Sequence, residues 1–355
     1  MSTQELNQDA FGPPPSRHWT AKSPAEAALA RWYPQLLRGP RHSVWRGVLA
    51  ILLAVVAGAF AAVLVGTLAF GILLAQGAID LQAAAQMSAQ ELTAEIIDEP
   101  VMFLANNLML ASLIPISMLS MWACFWWRPR WMSSVAGGIR WTWLGLTFLI
   151  SLPVYALLSG IGVLLSGPVT WRLDATAVTL LVIVLLTTPL QAAGEEYLFR
   201  GLITQSIGSW IARPLAAVLV SGLISGLGFA ALHSVGADQD VWLFLGRFLY
   251  GLAFSYLTWQ TGGLEAAISV HTVNNIAAMV PAIITGGLGA AVTAGEGSYT
   301  DTGVSVLVMV LTTALITYAG RRIGLQTKHD PAVQPGGPGP GRTDCWPPVQ
   351  APPSV

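Results

Sequence analysis

Long apolar runs recur along most of the sequence, and each reaches the length of about 20 residues that a helix needs to cross a bilayer. Charged residues make up 10% of the chain and hydrophobic residues 54%, whereas an ordinary soluble domain carries about 25% charged residues. The sequence therefore predicts an all-α, polytopic membrane protein and excludes a soluble domain with a single anchor. The eight predicted spans are 47–74, 101–127, 141–166, 176–200, 214–233, 241–260, 263–286 and 302–320.

The basic residues of the connecting segments predict the orientation of these spans. Lys and Arg are enriched on the cytoplasmic side of membrane proteins. They precede the first span, separate the second from the third, and follow the fourth and the eighth. The opposite connections are acidic, with Arg172 as their only basic residue. We therefore expect a multi-pass protein of the cell membrane, with both termini in the cytoplasm.

Composition also limits the partners of the chain. The net charge is −1, and the arginines gather at the ends of apolar runs instead of forming one basic face, so no nucleic-acid partner is expected. Cys124 and Cys345 are the only cysteines, too few for a disulfide framework or a thiolate metal site. The first 45 residues are polar and basic, and we expect no cleavable signal peptide there.

A few ionisable side chains fall within the apolar spans, where each costs about 2.5 to 3.5 kcal/mol and is a candidate for function. Glu196 and Arg200 are four residues apart in the orientation that favours an ion pair on a helix. Glu195 is rotated from Glu196 by about 100° and is the carboxylate left for chemistry. Arg247 and Glu265 are expected to anchor at the membrane interface or to pair with each other.

Two further helices carry polar groups at a spacing of one turn. His271 and Asn275 would place two donors on one helix face, which suits the stabilisation of an oxyanion. On another helix, the ring of Phe229 would pack beside the imidazole of His233. Each group could instead be structural, as a buried ion pair or a hydrogen bond between helices. The coincidence of a Glu, two His and an Asn on three spans favours a functional site.

Three short motifs carry a family resemblance. Residues 195–200 (EEYLFR), 229–233 (FAALH) and 271–275 (HTVNN) resemble the EExxxR, FxxxH and HxxxN motifs of the CAAX-protease and bacteriocin-processing (CPBP, or Abi) family of intramembrane glutamic endopeptidases. The resemblance covers roughly 176–290. The composition suggests a bacterial chain, for which processing of CAAX proteins is not expected.

The resemblance implies about eight transmembrane helices around an intramembrane catalytic cavity. Glu195 and His233 would activate a water molecule, and His271 and Asn275 would form the oxyanion hole. A set of three residues would support them: Glu196, Arg200 and Phe229. No metal or cofactor is implied, and the substrate would be a membrane-associated protein or peptide.

The predicted organisation follows from the spans and from this resemblance. It comprises a basic cytoplasmic N-terminal segment (1–45), N-terminal transmembrane helices (46–175), a catalytic transmembrane core (176–290), a last loop and helix (291–322), and a disordered Pro- and Gly-rich cytoplasmic tail (323–355).

Other functions stay open at the level of sequence. Glu195, Glu196, His233 and His271 could bind zinc in a membrane metalloprotease, since carboxylates and imidazoles are suitable ligands, although HExxH is absent. A non-catalytic scaffold, immunity or transport protein could use the same polar cluster. The predicted spans also place His271 at a shallow depth and His233 toward the opposite face, which fits poorly with one shared site.

Overall fold

The fold is known from a computed structural model. It describes residues 30–330 except 39–41, 89–90, 93–95, 97–98, 166–169, 234–240 and 287–298. The predicted N-terminal segment lies outside the described residues as far as residue 29, and the predicted disordered tail lies outside them from residue 331.

Helices dominate the described part of the chain. They are α1 (Val44–Ala75), α2 (Leu81–Ala84), α3 (Pro100–Ala111), α4 (Leu113–Phe125), α5 (Trp141–Leu165), α6 (Ala175–Glu196), α7 (Thr204–Trp210), α8 (Pro214–Leu232), α9 (Val241–Thr261), α10 (Glu265–Ile284) and α11 (Tyr299–Arg322). Eight helical segments of the described residues are long and apolar enough to cross a membrane, with α3 and α4 forming one of them and α6 and α7 another. The prediction of an all-α, polytopic membrane protein is confirmed.

The outward surface of these helices is apolar. On α1, large hydrophobic side chains are exposed on several sides of the helix, among them Leu52, Val56, Phe60 and Val63. Such a surface would be unfavourable in water but is suited to contact with lipid tails. The polar side chains of the core lie instead between helices.

The fourth span is longer than the sequence indicated. A π-helical segment, Tyr197–Ile203, joins α6 to α7, so that one helical segment runs from Ala175 to Trp210. The predicted limit at residue 200 was therefore too early, because the polar residues there do not end the helix. π-Helical turns are rare and often occur at functional sites.

Packing places α6 and α10 at the centre of the bundle. Helix α6 packs on α3 and α10, and α10 also packs on α5. Helix α8 pairs with α9, and α9 with α11. The contact between α8 and α9 is close, because a Cβ atom at Gly251 would lie only 2.7 Å from the Cα atom of Gly226.

Helix α6 also packs closely against the α3–α4 segment, at Gly194 near its polar C-terminal end. Helices α3 and α4 are separated by a break at Ser112. A Cβ atom at Gly194 would lie 1.9 Å from the carbonyl oxygen of Leu110, just before this break. Only glycine fits there without a backbone shift, and the next residue is Glu195.

Two short strands close one end of the bundle. β1 (Arg31–Trp32) pairs antiparallel with β2 (Lys328–His329). The predicted tail begins at residue 323, and its first residues, 323–330, lie within the described part of the chain and include β2. The pairing satisfies backbone groups of both strands, and the His329 ring is buried against Trp131 with the ring centroids 4.7 Å apart.

Candidate active site

The two glutamates end α6 and are both enclosed, with exposed fractions of 3% for Glu195 and 0% for Glu196. Consecutive helical residues point about 100° apart, so the two carboxylates enter different surroundings. One of them forms an ion pair, and the other faces the imidazoles.

Glu196 is held by a cation and by an imidazole. Its Oε1 atom accepts hydrogen bonds from Arg200 Nη1 at 2.9 Å and from His271 Nδ1 at 2.8 Å. The pairing with Arg200 is the one that the spacing of four residues predicted. A buried charge is costly without such partners, and Glu196 therefore has a clear structural use.

Arg200 is fully buried and has further contacts. Its Nη2 atom donates to the carbonyl oxygen of Gly251 at 3.2 Å. Its guanidinium carbon lies 4.6 Å from the ring centroid of Phe229 and 5.1 Å from that of Phe254, distances at which cations interact favourably with aromatic rings. Arg200 therefore links the fourth span to α8 and α9.

Glu195 differs from its neighbour in the use of its two oxygens. Oε1 accepts a hydrogen bond from Gln191 Nε2 at 2.6 Å. Oε2 is buried and accepts none from the described residues. It lies 3.5 Å from His233 Nε2 and 3.6 Å from His271 Nε2. The free oxygen of Glu195 therefore faces both imidazoles.

His233 is the exposed member of this cluster, with 35% of its side chain accessible. His233 caps the end of α8, and its Nδ1 atom lies 2.8 Å from the carbonyl oxygen of Phe229. A carbonyl only accepts, so Nδ1 carries a hydrogen and Nε2 of the neutral ring is an acceptor. The rings of Phe229 and His233 pack with centroids 4.2 Å apart, as the sequence predicted.

Arg247 does not pair with Glu265, contrary to one of the alternatives above. Glu265 instead accepts two hydrogen bonds from the Arg140 side chain, with Nε to Oε1 at 2.9 Å and Nη2 to Oε2 at 2.6 Å, and a third from its backbone N–H at 2.9 Å. Arg247 Nη1 donates to the backbone carbonyl of His233 at 2.8 Å. Arg247 therefore lies at the edge of the cluster, where it satisfies a terminal carbonyl of α8.

His271 is buried and sits between the two carboxylates. Its ring stacks on Phe254 with centroids 5.0 Å apart and planes at 21°. Because Nδ1 contacts Glu196 while Nε2 faces Glu195, both ring nitrogens are directed at acidic groups. The predicted difference in depth does not keep the two histidines apart, since His233 and His271 approach the same carboxylate oxygen of Glu195 at 3.5 and 3.6 Å.

Asn275 reaches the cluster through a residue that the sequence reasoning missed. Its Nδ2 atom donates to Gln191 Oε1 at 3.1 Å, and Gln191 in turn donates to Glu195. The candidates named from the sequence were mainly ionisable side chains, and Gln191 was not among them. A glutamine four residues before Glu195 in an apolar span was the available signal.

The described residues contain no group of three or more His, Cys, Asp or Glu side chains arranged to hold a metal ion. Five ionisable side chains nevertheless meet inside the bundle: Glu195, Glu196, Arg200, His271 and, at its edge, His233. Fold and site together define a polytopic helical membrane protein with a carboxylate and imidazole cluster between its spans.

Comparison with known proteins identifies this part of the chain. Residues 177–277 match the family described as Rce1-like, type II CAAX prenyl endopeptidase Rce1-like, and this region belongs to that family. All three motifs fall within it, so the family predicted from them is confirmed over these residues.

One curated relative shares the same region. The chain is 32% identical over 100 residues to the uncharacterized protein YyaK of Bacillus subtilis (strain 168), which covers 27% of this chain and 32% of the relative. The chain thus spans about a third of the length of the curated relative that it matches. No solved structure matches the chain.

Proposed function

We propose that the protein is an intramembrane glutamic endopeptidase that hydrolyses a peptide bond of a membrane-associated protein or peptide without a metal ion. The observation that carries this proposal is the position of Glu195, whose buried Oε2 atom faces the Nε2 atoms of both histidines at 3.5 and 3.6 Å. The match to an endopeptidase family over 177–277 supports the same reaction class.

Glu195 and His233 would activate the attacking water. In the tautomer fixed by the Phe229 carbonyl, His233 Nε2 is an acceptor, and so is Oε2 of Glu195. A water beside both would donate one hydrogen to each and present a lone pair to the substrate carbonyl. As the new C–O bond forms, Glu195 takes the water proton. It then delivers this proton to the amine nitrogen as the C–N bond breaks.

His271 and Asn275 would stabilise the oxyanion. Because Nδ1 of His271 donates to Glu196, Nε2 can donate only when the ring is an imidazolium. Asn275 uses one Nδ2 hydrogen on Gln191 and keeps the other for substrate.

The surroundings suit a substrate that arrives within the membrane. The cluster is buried between spans, and its exposed edge is formed by His233. An apolar peptide or the terminal part of a membrane-bound protein would reach the site without leaving the bilayer. We place the protein in the cell membrane with both termini in the cytoplasm, on the distribution of Lys and Arg. The proposal includes no cofactor and no nucleic acid.

The decisive experiment replaces the proposed base. Glu195→Gln preserves the acceptor for Gln191, so we expect normal folding and a loss of peptidase activity of about 10²- to 10⁴-fold. The substrate is found by comparing membrane peptidomes of cells that carry the wild type or this variant. Glu196→Gln is the matched comparison, since it removes the adjacent carboxylate but should mainly cost stability or alignment.

Two results would contradict the proposal. Unchanged processing of a native substrate in Glu195→Gln cells would favour a transport, immunity or scaffold protein. Activity that is lost in chelator and restored by zinc would show a metalloprotease built on the same side chains.

A further inference from the structure

Helix α9 carries none of the three sequence motifs, yet one of its faces contacts a residue from each of them. Residues 247, 251 and 254 are spaced by four and three positions and therefore share this face. The three contacts are Arg247 with His233, Gly251 with Arg200, and Phe254 with His271. Two of them serve buried residues of the candidate site, whereas Arg247 reaches its exposed member.

His233 needs such a contact because it is the last residue of α8. The final carbonyl groups of a helix have no partner within it, and helix ends fray. Within α8, the backbone N–H of His233 lies 3.2 Å and its Nδ1 atom 2.8 Å from one and the same acceptor, the carbonyl oxygen of Phe229. The carbonyl of His233 itself is bound from outside the helix, by Arg247 Nη1 at 2.8 Å.

Arg247 is a costly residue at this position. It is partly buried and lies six residues, or about 9 Å, from the first residue of α9, within a span where a charge is unfavourable. Among the described residues its guanidinium has no acidic partner and bonds instead to the His233 carbonyl. The carbonyl end of a helix carries partial negative charge, so a cation is favourable there. One contact therefore stabilises both the cation and the end of α8.

We propose that Arg247 is a positioning residue for the reaction, which holds the imidazole of His233 against Glu195. The carbonyl and the side chain of His233 share one Cα atom, so a terminal peptide that tilts carries the imidazole with it. Nε2 of His233 faces Oε2 of Glu195 at 3.5 Å, and a displacement of about 1 Å at such a site costs up to about 100-fold in rate. This inference rests on the proposed function, because it gives Arg247 a role in the same reaction.

The kinetic test uses the purified full chain and a synthetic peptide that spans the cleavage site found by the peptidome comparison. Arg247→Met removes the donor and keeps a long unbranched side chain. We expect kcat to fall by about 10- to 100-fold while KM changes by less than about twofold. Arg247→Lys restores a cationic donor and should keep kcat within about threefold of wild type.

Arg38→Met is the matched control for the loss of an arginine from a helix end. Arg38 Nη1 donates to the carbonyl oxygen of Ser209 at 3.0 Å, near the end of α7. This contact lies about 20 Å from Glu195 along the fourth span. Arg38→Met should therefore leave both kcat and KM unchanged.

A second measurement follows the position of His233 without any substrate. Diethyl pyrocarbonate modifies accessible imidazoles, and mass spectrometry of peptides gives the rate at each histidine. In Arg247→Met the rate at His233 should rise by about threefold, because the exposed fraction of its side chain can increase from 35% to all of it. Arg247→Lys should react as wild type does. His42, His271 and His329 are exposed by 4% or less, and their unchanged rates show that the fold is intact.

The two measurements separate this inference from the proposed function. An unchanged rate of modification at His233 in Arg247→Met would overturn the inference, whatever the peptidase activity. A raised KM with unchanged kcat would overturn it as well, because Arg247 would then bind substrate instead of positioning His233. Anchoring of Arg247 at the membrane interface alone would alter neither kcat nor the modification of His233. If Glu195→Gln retains activity, the proposed function fails, and the modification of His233 still shows whether Arg247 holds it.

Discussion

Replacing Arg200 by methionine should destabilise the protein by about 3 to 5 kcal/mol, the usual cost of leaving one charge of a buried pair without its partner. Arg200 is fully buried, and its Nη1 atom lies 2.9 Å from Glu196 Oε1. Methionine fills a similar space among the aromatic rings, so the cavity contribution is small. After Arg200→Met, His271 is the one donor to Glu196 that is left among the described residues.

A second substitution separates the charge effect from packing. When Glu196→Gln is added to Arg200→Met, both charges are gone and no unpaired carboxylate is left in the core. The double variant should therefore be more stable than Arg200→Met alone, with a coupling energy of about 2 to 3 kcal/mol. Glu196→Gln by itself leaves Arg200 with the Gly251 carbonyl and the rings of Phe229 and Phe254.

Cys124 offers a direct assay of stability. It is buried in α4 with an exposed fraction of 8%, so a thiol-reactive dye should label it only on unfolding. Cys345→Ser removes the other cysteine of the chain. Midpoints of thermal labelling are compared for wild type, the two single variants and the double variant in the same detergent. A double variant no more stable than Arg200→Met would refute the charge explanation.

Three further substitutions follow from the same packing. Gln191→Met should lower kcat by about tenfold with little change in KM, because Gln191 donates to Glu195, the proposed catalytic carboxylate. The matched variant Gln205→Met should stay active, and an equal loss in both variants would contradict this. Gly194→Ala should lower the free energy of unfolding by about 3 kcal/mol, because the added Cβ atom would clash with the carbonyl oxygen of Leu110. Gly66→Ala should leave it unchanged, because there is open space around Gly66. Burial and two nearby arginines lower the pKa of His42 to about 4. As the pH drops, His42 is therefore protonated in the unfolded chain before it is protonated in the folded protein. The free energy of unfolding falls between about pH 6.5 and pH 4, by about 2 kcal/mol after solvent screening. His42→Gln should flatten that slope in thermal unfolding.

The spans and the Glu196–Arg200 pair could be predicted because both depend on local sequence. A run of apolar residues defines a span wherever it lies in the bundle, and side chains four apart meet on any regular helix. The limit of the fourth span was wrong for a related reason. A charged stretch indicates the end of a span by composition, but Arg200 is neutralised by Glu196 on the same helical segment and stays in the core.

The rest of the site depends on contacts between distant parts of the chain. Arg140 and Glu265 are 125 residues apart, and Asn275 is 84 residues from Gln191. Neither spacing leaves a periodic signal. The pairing of β1 with β2 was missed for the same reason, since two-residue strands have no pattern of their own. The amide of Gln191 is not ionisable and so was not among the candidates, although amides also donate hydrogen bonds to buried carboxylates, as Gln191 does to Glu195.

The unlike surroundings of the two glutamates explain how adjacent identical residues could serve different purposes. A carboxylate bonded to both an arginine and an imidazole is a poor base, because protonation would break contacts that stabilise its charge. Glu196 is in that position. Glu195 receives one amide hydrogen bond on Oε1 and keeps Oε2 free toward the histidines, so a proton can be added there without loss of a partner. His271 bonds Glu196 through Nδ1 and faces Glu195 through Nε2. It therefore connects the ion pair of Glu196 and Arg200 to the free oxygen of Glu195.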